Sequence, residues 1–376
     1  MLEVGPGTMG PVHRLIQKAF TDLAEPFQSW EAFWYAISNG IRVFIKPGSQ
    51  ICWPYLLSSL LIAWIIFRST KAIHGHQSFF EFIFPRDIYR HPSAIADYKY
   101  AAFELSTRWL FTAPLISLIS FGIYKGLHSV LPSASGQWIT HAFARGILAS
   151  IASIVLADLG LFAAHYLMHR IPVLWQFHQL HHSAEVLTPL TLYRVHPVEA
   201  LVGGIATAVV GAVIGIFYDH MSGHETDVLA IFGVNALVLL FYMWGNLLRH
   251  SHVWVSYGPL MSRLLISPAQ HQIHHSVDPK HLNKNFGQIF ALWDWVSKTL
   301  YIPRNRETLQ FGVPGLDPRT FSTLPRMYGI PFVKASRLLA ATVGRLCSSE
   351  GRAGNSDQET SETKRASSKN GFQLKL

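Results

Sequence analysis

The sequence predicts an all-α integral membrane protein, with about four to five transmembrane helices in hairpins and a cytosolic histidine-rich helical cap. The first observation is composition, because only 14% of the 376 residues are charged and 49% are hydrophobic. The second is that five apolar stretches carry this excess: residues 53–67, 109–124, 146–164, 200–218 and 228–244. The last four approach the roughly 20 residues that cross a hydrocarbon core. The first is short, and an interfacial or tilted segment is the alternative.

The third observation is the distribution of basic residues. Lys and Arg are concentrated in residues 68–108 and 249–345, whereas residues 219–227 contain neither. Cytoplasmic loops of membrane proteins are enriched in Lys and Arg, so the basic segments are predicted to be cytoplasmic and the acidic loop exterior. Two hairpins, 109–164 and 200–244, return the chain to the cytoplasmic side each time. We therefore predict a multi-pass protein whose histidine-rich segments, which follow these hairpins, are cytoplasmic.

The chain divides into five regions by composition. These are an N-terminal amphipathic region at 1–52, membrane spans with a cytosolic loop at 53–145, a histidine-rich domain at 146–303, a C-terminal extension at 304–348 and a polar tail at 349–376. The tail is rich in Ser, Glu, Lys, Gly and Asn, which predicts disorder. The net charge of +9 comes with no basic patch of interleaved aromatic residues, so no nucleic-acid partner is expected.

Histidines at 271–275 repeat a pattern found earlier in the chain, at 178–182. His-x-x-His-His occurs twice, and a His-x-x-x-His pair precedes the first copy; the residues are His165, His169, His178, His181, His182, His271, His274 and His275. Residues at i, i+3 and i+4 share one helix face, so each copy is expected to direct its imidazoles at a common spot. The alternative, surface histidines on polar helices, requires the doubled pattern to arise by chance.

These imidazoles exceed the coordination number of one ion. Neutral imidazole binds iron, zinc, copper and nickel, and one ion takes four to six ligands, so two metals are predicted. The two cysteines, Cys52 and Cys347, form no C-x-x-C motif. Sulfur ligands are therefore not expected.

Between about residues 157 and 303, the chain resembles the fatty acid hydroxylase/sterol desaturase superfamily. The resemblance rests on the three histidine motifs above, on Arg-Val-His-Pro around His196, and on His250-Ser-His252. It implies a non-haem di-iron membrane enzyme whose histidine boxes bind two irons on a cytosolic cap over four transmembrane helices. It also implies that the enzyme uses O2 and reducing equivalents to hydroxylate or desaturate a sterol, a fatty acyl chain or a related lipid, and that residues 146–303 are the catalytic domain.

The resemblance assigns metal ligands residue by residue. His165 and His169 match the first box, the two His-x-x-His-His copies match the second and last boxes, and His250 matches a further ligand. Members often carry His-x-x-x-His ending at the position of His250, but here the partner is Asn246. The Asn carbonyl oxygen is a weaker ligand than imidazole.

Several other residues are candidates for ligating the metals or for orienting the ligands. His196 matches a recurrent family position and His252 follows His250 closely; a structural role is the alternative for His196. Asp158 lies inside an apolar stretch, where a carboxylate is costly unless paired, and could orient a metal-bound imidazole. Asp294 and Glu199 are candidates for the same task, and salt bridges with Arg194 or Lys298 are the alternative.

The remaining histidines and the tryptophans near the boxes are expected to have no metal role. Surface positions are predicted for His13, His74, His76, His91, His128, His141 and His281, and solvated positions in the exterior loop for His220 and His224. Trp175, Trp254 and Trp293 are expected to pack the cap against the bilayer rather than to contact substrate.

Two other classes of function compete with the lipid oxygenase. A membrane zinc hydrolase usually carries H-E-x-x-H, but Gln179 and Leu180 stand between His178 and His181, so its general base is missing. A non-catalytic metal-binding protein or carrier would place ligands at the bilayer midplane, whereas these boxes follow the spans. No cytochrome b5-like or ferredoxin-like segment is recognisable, so we expect a separate electron donor. The sequence identifies neither the lipid nor whether it is hydroxylated or desaturated.

Overall fold

The computed structural model describes residues 21, 23–70, 78–130, 141–222, 230–231 and 234–345, with the side chains of 142 and 217–234 outside the description. Several predictions fall outside it. They concern residues 1–20, the loop after residue 222, the tail at 349–376, and the side chains of His13, His74, His76, His220 and His224.

The N-terminal part is mostly helical, and a 3-10 turn, Glu25–Phe27, precedes its first longer helix. Its helices are α1 (Trp30–Ile41), α2 (Trp53–Ser69), α3 (Phe79–Ile83), α4 (Arg86–Tyr89), α5 (Pro92–Thr107) and α6 (Thr112–Val130). Local chemistry explains where they begin. Ser29 accepts a hydrogen bond from the Ala32 backbone at the start of α1, and Ser78 and Glu81 form a capping box on α3. Helices α2 and α5 carry proline in the first turn, where no backbone donor is lost.

The histidine-rich domain begins on one long helix and continues through short ones. Its elements are α7 (Ala142–Arg170), α8 (Pro172–His182), α9 (Pro197–Ser222), strands β1 (Ala230–Ile231) and β2 (Val234–Asn235), α10 (Ala236–Met243), α11 (Gly258–Met261), α12 (Pro268–His274) and α13 (Leu292–Val296). A last helix, α14, covers residues 324–345. Apart from the two-residue strands, which pair as an antiparallel hairpin, the described part of the chain is all-α, as predicted.

The described residues contain two helices long and apolar enough to cross a membrane, Phe143–Arg170 and Pro197–Ile216. A third span is possible by length if α5 and α6, which meet at an angle of 56°, count as one. Helix α2 is apolar but shorter than these. This is fewer than the four to five spans predicted. Part of the predicted span at 228–244 lies outside the description, so the full number remains a prediction.

Helix α9 packs against both α6 and α7. Glycine permits the contact with α7, because a Cβ at Gly160 would lie 3.1 Å from the Ala206 carbonyl oxygen and 3.1 Å from Val210 Cγ2. Small residues at helix interfaces let backbones approach closely within a membrane. The three helices therefore form the apolar bundle from which the first histidine pair emerges.

A buried ion pair joins α5 to the end of α8. Arg194 Nη1 donates to Asp97 at 2.7 Å, and Arg194 Nε donates to the Leu180 carbonyl at 2.9 Å. Burial raises the pKa of Asp97, and the nearby guanidinium opposes that rise. Arg194 thus has no contact of this kind with Glu199 or Asp294, which the sequence suggested as its partners. Instead, it fixes the C-terminal turn of α8, where His181 and His182 lie.

Candidate metal centre

Nine histidines converge in two adjoining groups, and they are the nine ligands assigned from the sequence. Cluster A contains His165, His169, His178, His182 and His274, and cluster B contains His181, His250, His271 and His275. Within each cluster, one potential ligand atom from every residue lies within 4.8 Å of those of all the others. The arrangement brings the residues together; their binding of metal stays a prediction.

Each His-x-x-His-His motif contributes to both clusters. In α8, His178 and His182 belong to cluster A and His181 to cluster B. The second motif, in α12, is divided the opposite way, with His271 and His275 in cluster B and His274 in cluster A. Residues i and i+4 lie about 40° apart around a helix, whereas residue i+3 lies on the other side of residue i. The expectation that each motif points at one common spot was therefore wrong, because each helix contributes imidazoles to both clusters.

The remaining ligand candidates come from α7 and from one turn. Helix α7 continues six residues beyond the predicted apolar stretch, to Arg170, and carries His165 and His169 on its last turns. His250 ends a 3-10 turn, Asn246–His250, which begins after Gly245. Gly245 has a φ of 85°, in the left-handed region that glycine adopts without strain. This turn redirects the chain toward cluster B.

Backbone carbonyls fix the hydrogen position of two imidazoles in cluster A. His165 Nδ1 lies 2.8 Å from the Phe286 oxygen, and His274 Nδ1 lies 2.8 Å from the Lys284 oxygen. A carbonyl only accepts, so each Nδ1 must carry a hydrogen and each neutral ring presents a lone pair at Nε2. Both Nε2 atoms are buried without a hydrogen-bond partner.

The carboxylate of Glu199 fixes the hydrogen position of a third imidazole in cluster A. His178 Nδ1 lies 2.8 Å from Glu199 Oε1, and both side chains are buried. His178 therefore also presents its Nε2 lone pair to cluster A. His182 Nε2 lies 3.1 Å from His178 Nε2 and 3.1 Å from His169 Nε2. One imidazole nitrogen carries at most one hydrogen, so hydrogen bonds between the rings cannot satisfy all these lone pairs, whereas a central cation would.

Cluster B has the same close spacing. His271 Nε2 lies 3.1 Å from His250 Nε2 and 3.2 Å from His275 Nε2, and His250 Nε2 lies 3.4 Å from His181 Nε2. Nitrogens bound to one ion at about 2.0 to 2.1 Å stand roughly 3 Å apart. The donor sets of both clusters therefore fit a metal ion each.

Burial keeps these rings in the form that binds metals. Removal from solvent, together with the neighbouring imidazoles, holds the pKa of His178, His182, His271 and His275 well below the ordinary range. Burial likewise lowers the pKa of His181 to about 3. Metal ligands must be deprotonated, so the clusters present neutral imidazoles at physiological pH.

Asp158 does not orient an imidazole directly, which corrects one expectation. Its oxygens accept hydrogen bonds from the backbone amides of Ile289 and Phe290, at 2.8 and 2.9 Å, and from Trp293 Nε1 at 3.0 Å. The carboxylate is thus satisfied by a loop more than a hundred residues away in sequence. It ties that loop to α7, the helix that carries His165.

Asp294 has a similar structural role, which corrects the second expectation. It accepts from the backbone amides of Phe286 and Gly287, both at 2.8 Å, and from the Thr299 hydroxyl. The Phe286 carbonyl, in the same loop, is the acceptor for His165. Asp158 and Asp294 therefore act on cluster A through the backbone of residues 286–290 rather than by contact with a ring. Neither contacts Arg194 or Lys298.

His196 and His252 lie outside both clusters. The Val198 amide donates to His196 Nδ1 at 3.1 Å, so its Nε2 carries the hydrogen and donates to the Tyr328 carbonyl, also at 3.1 Å. Both nitrogens are thus used, and the ligand alternative for His196 was wrong. His252 Nε2 lies 2.6 Å from the Phe82 oxygen, which directs this ring away from cluster B.

Asn246 lies beside cluster B. It lines a cavity of about 20 Å³ together with His250, His271 and Arg249, and its Nδ2 donates to Gln50 Oε1 at 3.1 Å. A ligand role for its carbonyl oxygen stays a prediction.

Arg249, which the sequence reasoning missed, is buried, and its guanidinium donates to the carbonyls of Ile266 and Gln288.

Trp175 and His281 lie where the sequence reasoning did not expect them. Trp175 lines a cavity of about 250 Å³ that opens on cluster A, and its ring centroid is 5.0 Å from that of His169. Its position three residues before His178 on α8 could have indicated that Trp175 lies near cluster A.

His281 is buried rather than on the surface, and its ring lies 2.9 Å from the Ser276 hydroxyl and 3.1 Å from Glu307. Of the other histidines predicted at the surface, His128 and His141 are exposed and His91 is half-buried.

Comparison with known proteins confirms the predicted resemblance. Residues 150–299, which include both clusters, match the model of the fatty acid hydroxylase family. An ornithine lipid hydroxylase of Rhizobium tropici is 30% identical over 44% of this chain and 45% of its own. A Delta(7)-sterol 5(6)-desaturase of Candida glabrata is 24% identical over 57% of this chain and 52% of its own. An alkylglycerol monooxygenase of Danio rerio is 26% identical over 36% of this chain and 27% of its own.

The chain thus spans about half the length, or less, of these curated relatives. No solved structure matches it significantly.

Proposed function

From the match of residues 150–299 to the fatty acid hydroxylase family, we propose that this protein is an O2-dependent di-iron lipid hydroxylase or desaturase. The observation that carries the proposal is the pair of buried, all-imidazole clusters. The curated relatives act, by their names, on an ornithine lipid, a sterol and an alkylglycerol, which supports a lipid substrate without choosing one.

Each cluster would hold one iron, through the residues of cluster A and cluster B. All-nitrogen sites suit redox-active iron, which when bound supplies activation of O2 for attack on an unactivated C–H bond. Both outcomes consume one O2, two electrons and two protons: hydroxylation gives an alcohol and one water, and desaturation gives an alkene and two waters. The electrons are proposed to come from a separate cytochrome b5-like or ferredoxin-like protein.

The chain's own residues provide ligand positioning and a place for substrate. The carbonyls of Phe286 and Lys284, with Glu199, hold three rings of cluster A in fixed tautomers. The cavity on cluster A is lined by cluster histidines on one side and by apolar side chains that include Trp175, Leu282 and Val313. We propose that it admits the part of the lipid that reacts. The protein is proposed to span the membrane several times, with this centre on the cytoplasmic side.

A zinc hydrolase is the second candidate, and the geometry disfavours it. Gln179, which stands where such an enzyme would carry its catalytic Glu, donates to Gln176 and accepts from Lys334 Nζ at 3.0 Å. Glu199 is the carboxylate in contact with a cluster histidine, but its Oε1 already binds His178 Nδ1. Gln179 is an amide and cannot act as a general base, and Glu199 contacts the Nδ1 side of His178, whereas Nε2 is the atom that faces cluster A.

Metal analysis separates these candidates. Protein purified aerobically from iron-replete cells should contain about two irons per chain, because the nine imidazoles exceed what one ion can coordinate. Elemental analysis is the measurement. A single tightly held zinc, with no activity gained on adding iron, would rule out the oxygenase.

Lipid analysis then tests the reaction. Mass spectrometry should show that one lipid class of the parent strain loses an oxygen atom or a double bond when this gene is deleted. Complementation with the parent gene should restore it, and complementation with a His274→Ala variant should not. An unchanged lipid profile under conditions where the protein is expressed would contradict the proposal.

A further inference from the structure

Helix α14 is held to the protein along its first half only. Tyr328 stacks on Tyr100, with ring centroids 5.2 Å apart, and its hydroxyl donates to Glu104 at 3.1 Å. Met327 and Ala335 are buried. From residue 336 to 345, every side chain except the half-buried Leu338 is exposed. The second half of the helix therefore projects from the part of the protein that the structure describes.

The point of departure lies at the end of a candidate membrane span. The Phe332 ring has its centroid 5.1 Å from that of Phe177 and 5.2 Å from that of His196. His196 immediately precedes Pro197, where the candidate span Pro197–Ile216 begins. Phe332 thus stands at the level where the chain enters the apolar bundle, and residues 336–345 continue from there.

The exposed side of α14 carries an apolar stripe that continues into the projecting half. Phe332, Leu339 and Val343 follow each other at spacings of seven and four residues, which places them on one helix face. They are 55%, 52% and 57% exposed, respectively. Large apolar side chains aligned in this way and left open mark an interaction surface.

The charges of α14 have one sign. Residues 324–345 contain Arg326, Lys334, Arg337 and Arg345 and no Asp or Glu. An apolar stripe with Lys and Arg on the opposite helix face is typical of helices that lie in the plane of an anionic bilayer surface, with the stripe at the boundary of headgroups and acyl chains. A second copy of α14 would bring more positive charge against these residues. An acidic soluble protein would pair with the arginines but would leave the stripe in water.

We propose that residues 336–345 of α14 lie on the bilayer surface from which α9 starts, with Phe332, Leu339 and Val343 turned into the lipid and the arginines at anionic headgroups. This surface is independent of the proposed chemistry, because no cluster residue takes part in it.

Spin labels at two positions test the placement. Val343→Cys lies on the stripe, whereas Ala341→Cys, two residues away, lies about 160° around the helix. Both variants are made with Cys347→Ser; Cys52 is buried and should not react. The full chain is reconstituted in vesicles of phosphatidylcholine and phosphatidylglycerol. Collisions of the nitroxide with O2, which concentrates in bilayers, and with a water-soluble nickel chelate are then compared.

The label at 343 should be reached by O2 and shielded from nickel, and the label at 341 should show the reverse. Arg337→Gln with Arg345→Gln, or vesicles of phosphatidylcholine alone, should make 343 more accessible to nickel. Equal nickel access at both positions would overturn the proposal. So would shielding of 343 from both reagents, which indicates a protein partner, or spin–spin broadening that disappears on dilution with unlabelled protein, which indicates a second copy. No readout depends on activity, so a failure of the proposed oxygenase would leave the result intact.

Discussion

The two clusters differ in the charged residue that lies next to their imidazoles, and this should give them different metal affinities. Cluster A has a carboxylate, Glu199, in contact with His178 at 2.8 Å. Cluster B has a buried guanidinium, Arg249, next to His250 in sequence, and burial lowers the pKa of Arg249. Negative charge near a ligand favours the bound cation, and positive charge opposes it. We therefore expect the ion in cluster A to be held more tightly than the ion in cluster B.

Glu199→Gln tests the contribution of this charge. The amide oxygen can still accept from His178 Nδ1, so geometry is kept while the negative charge is lost. Loss of such a partner typically lowers metal affinity by about 10-fold to 100-fold. Competition with a graded series of chelators should show this loss for one of two irons. Glu31→Gln, at an exposed position on α1, is the matched control, and an equal response of the two variants would count against the role of Glu199.

Ligand substitutions test whether the two clusters form one catalytic unit. His274→Ala should empty cluster A and His181→Ala should empty cluster B, since each removes a ligand from a different group. If turnover needs both ions, each change should lower activity by at least about 100-fold and the double variant should be no worse, because residues that act as a unit are not additive. His128→Ala, at an exposed position, should retain activity and iron. Full iron content in His274→Ala would show that this residue is not a ligand.

At the scale of elements, the sequence predicted which histidines come together, but it did not predict how they divide between the two clusters. The spacing of His178, His181 and His182 identified a helix and a metal motif. It could not reveal that α8 contributes to two clusters, because that depends on where α7 and α12 pack around it. The same limit explains Asp158: the sequence suggested an imidazole as its partner, but its partners come from a loop 131 residues later. Non-local contacts of this kind leave no periodic signal.

The loop at 286–290 is the element on which cluster A depends most. Gly287→Ala should disturb it, since a Cβ there would lie 2.6 Å from the Phe290 oxygen and 3.0 Å from Asp294 Oδ2. Displacement of the loop would move the Phe286 carbonyl away from His165 Nδ1. We expect destabilisation of about 1 to 3 kcal/mol and a lower iron content. Thermal unfolding in detergent, with metal analysis, measures both effects.

Gly329→Ala is the matched control for this change. Gly329 lies in α14 with no atom within 4 Å of an added Cβ, so alanine should stabilise the helix by up to about 1 kcal/mol. Similar melting temperatures for the two variants would show that the loop tolerates the added methyl group.

Over the whole molecule, the centre joins segments from the membrane bundle to the C-terminal extension. Helix α7 brings His165 and His169 from an apolar span, and residues 312–314 of the extension complete the wall of the cavity on cluster A. Composition predicted the two candidate spans that the described residues contain, and the motifs predicted which histidines come together. The cavity was not predictable, because its walls come from residues without a shared pattern. The C-terminal extension at 304–348 therefore contributes both to the site and to the proposed membrane contact.

The orientation of the molecule in the membrane is the last prediction. The basic segments flank the histidine clusters, and residues 219–227, after α9, contain no Lys or Arg, so the end of α9 should face the exterior and the cap the cytoplasm. A cysteine at Ser222, the last residue of α9, should react with a membrane-impermeant maleimide on intact cells. A cysteine at Ser322, exposed on the cap, should react only after permeabilisation. Both are made with Cys347→Ser, so that the introduced thiol is the reactive one. Because α9 is a single candidate span, positions 222 and 322 should never be labelled from the same side. Labelling of 322 on intact cells, and of 222 only after permeabilisation, would place the clusters outside the cytoplasm. A cytoplasmic electron donor would then have no access to them.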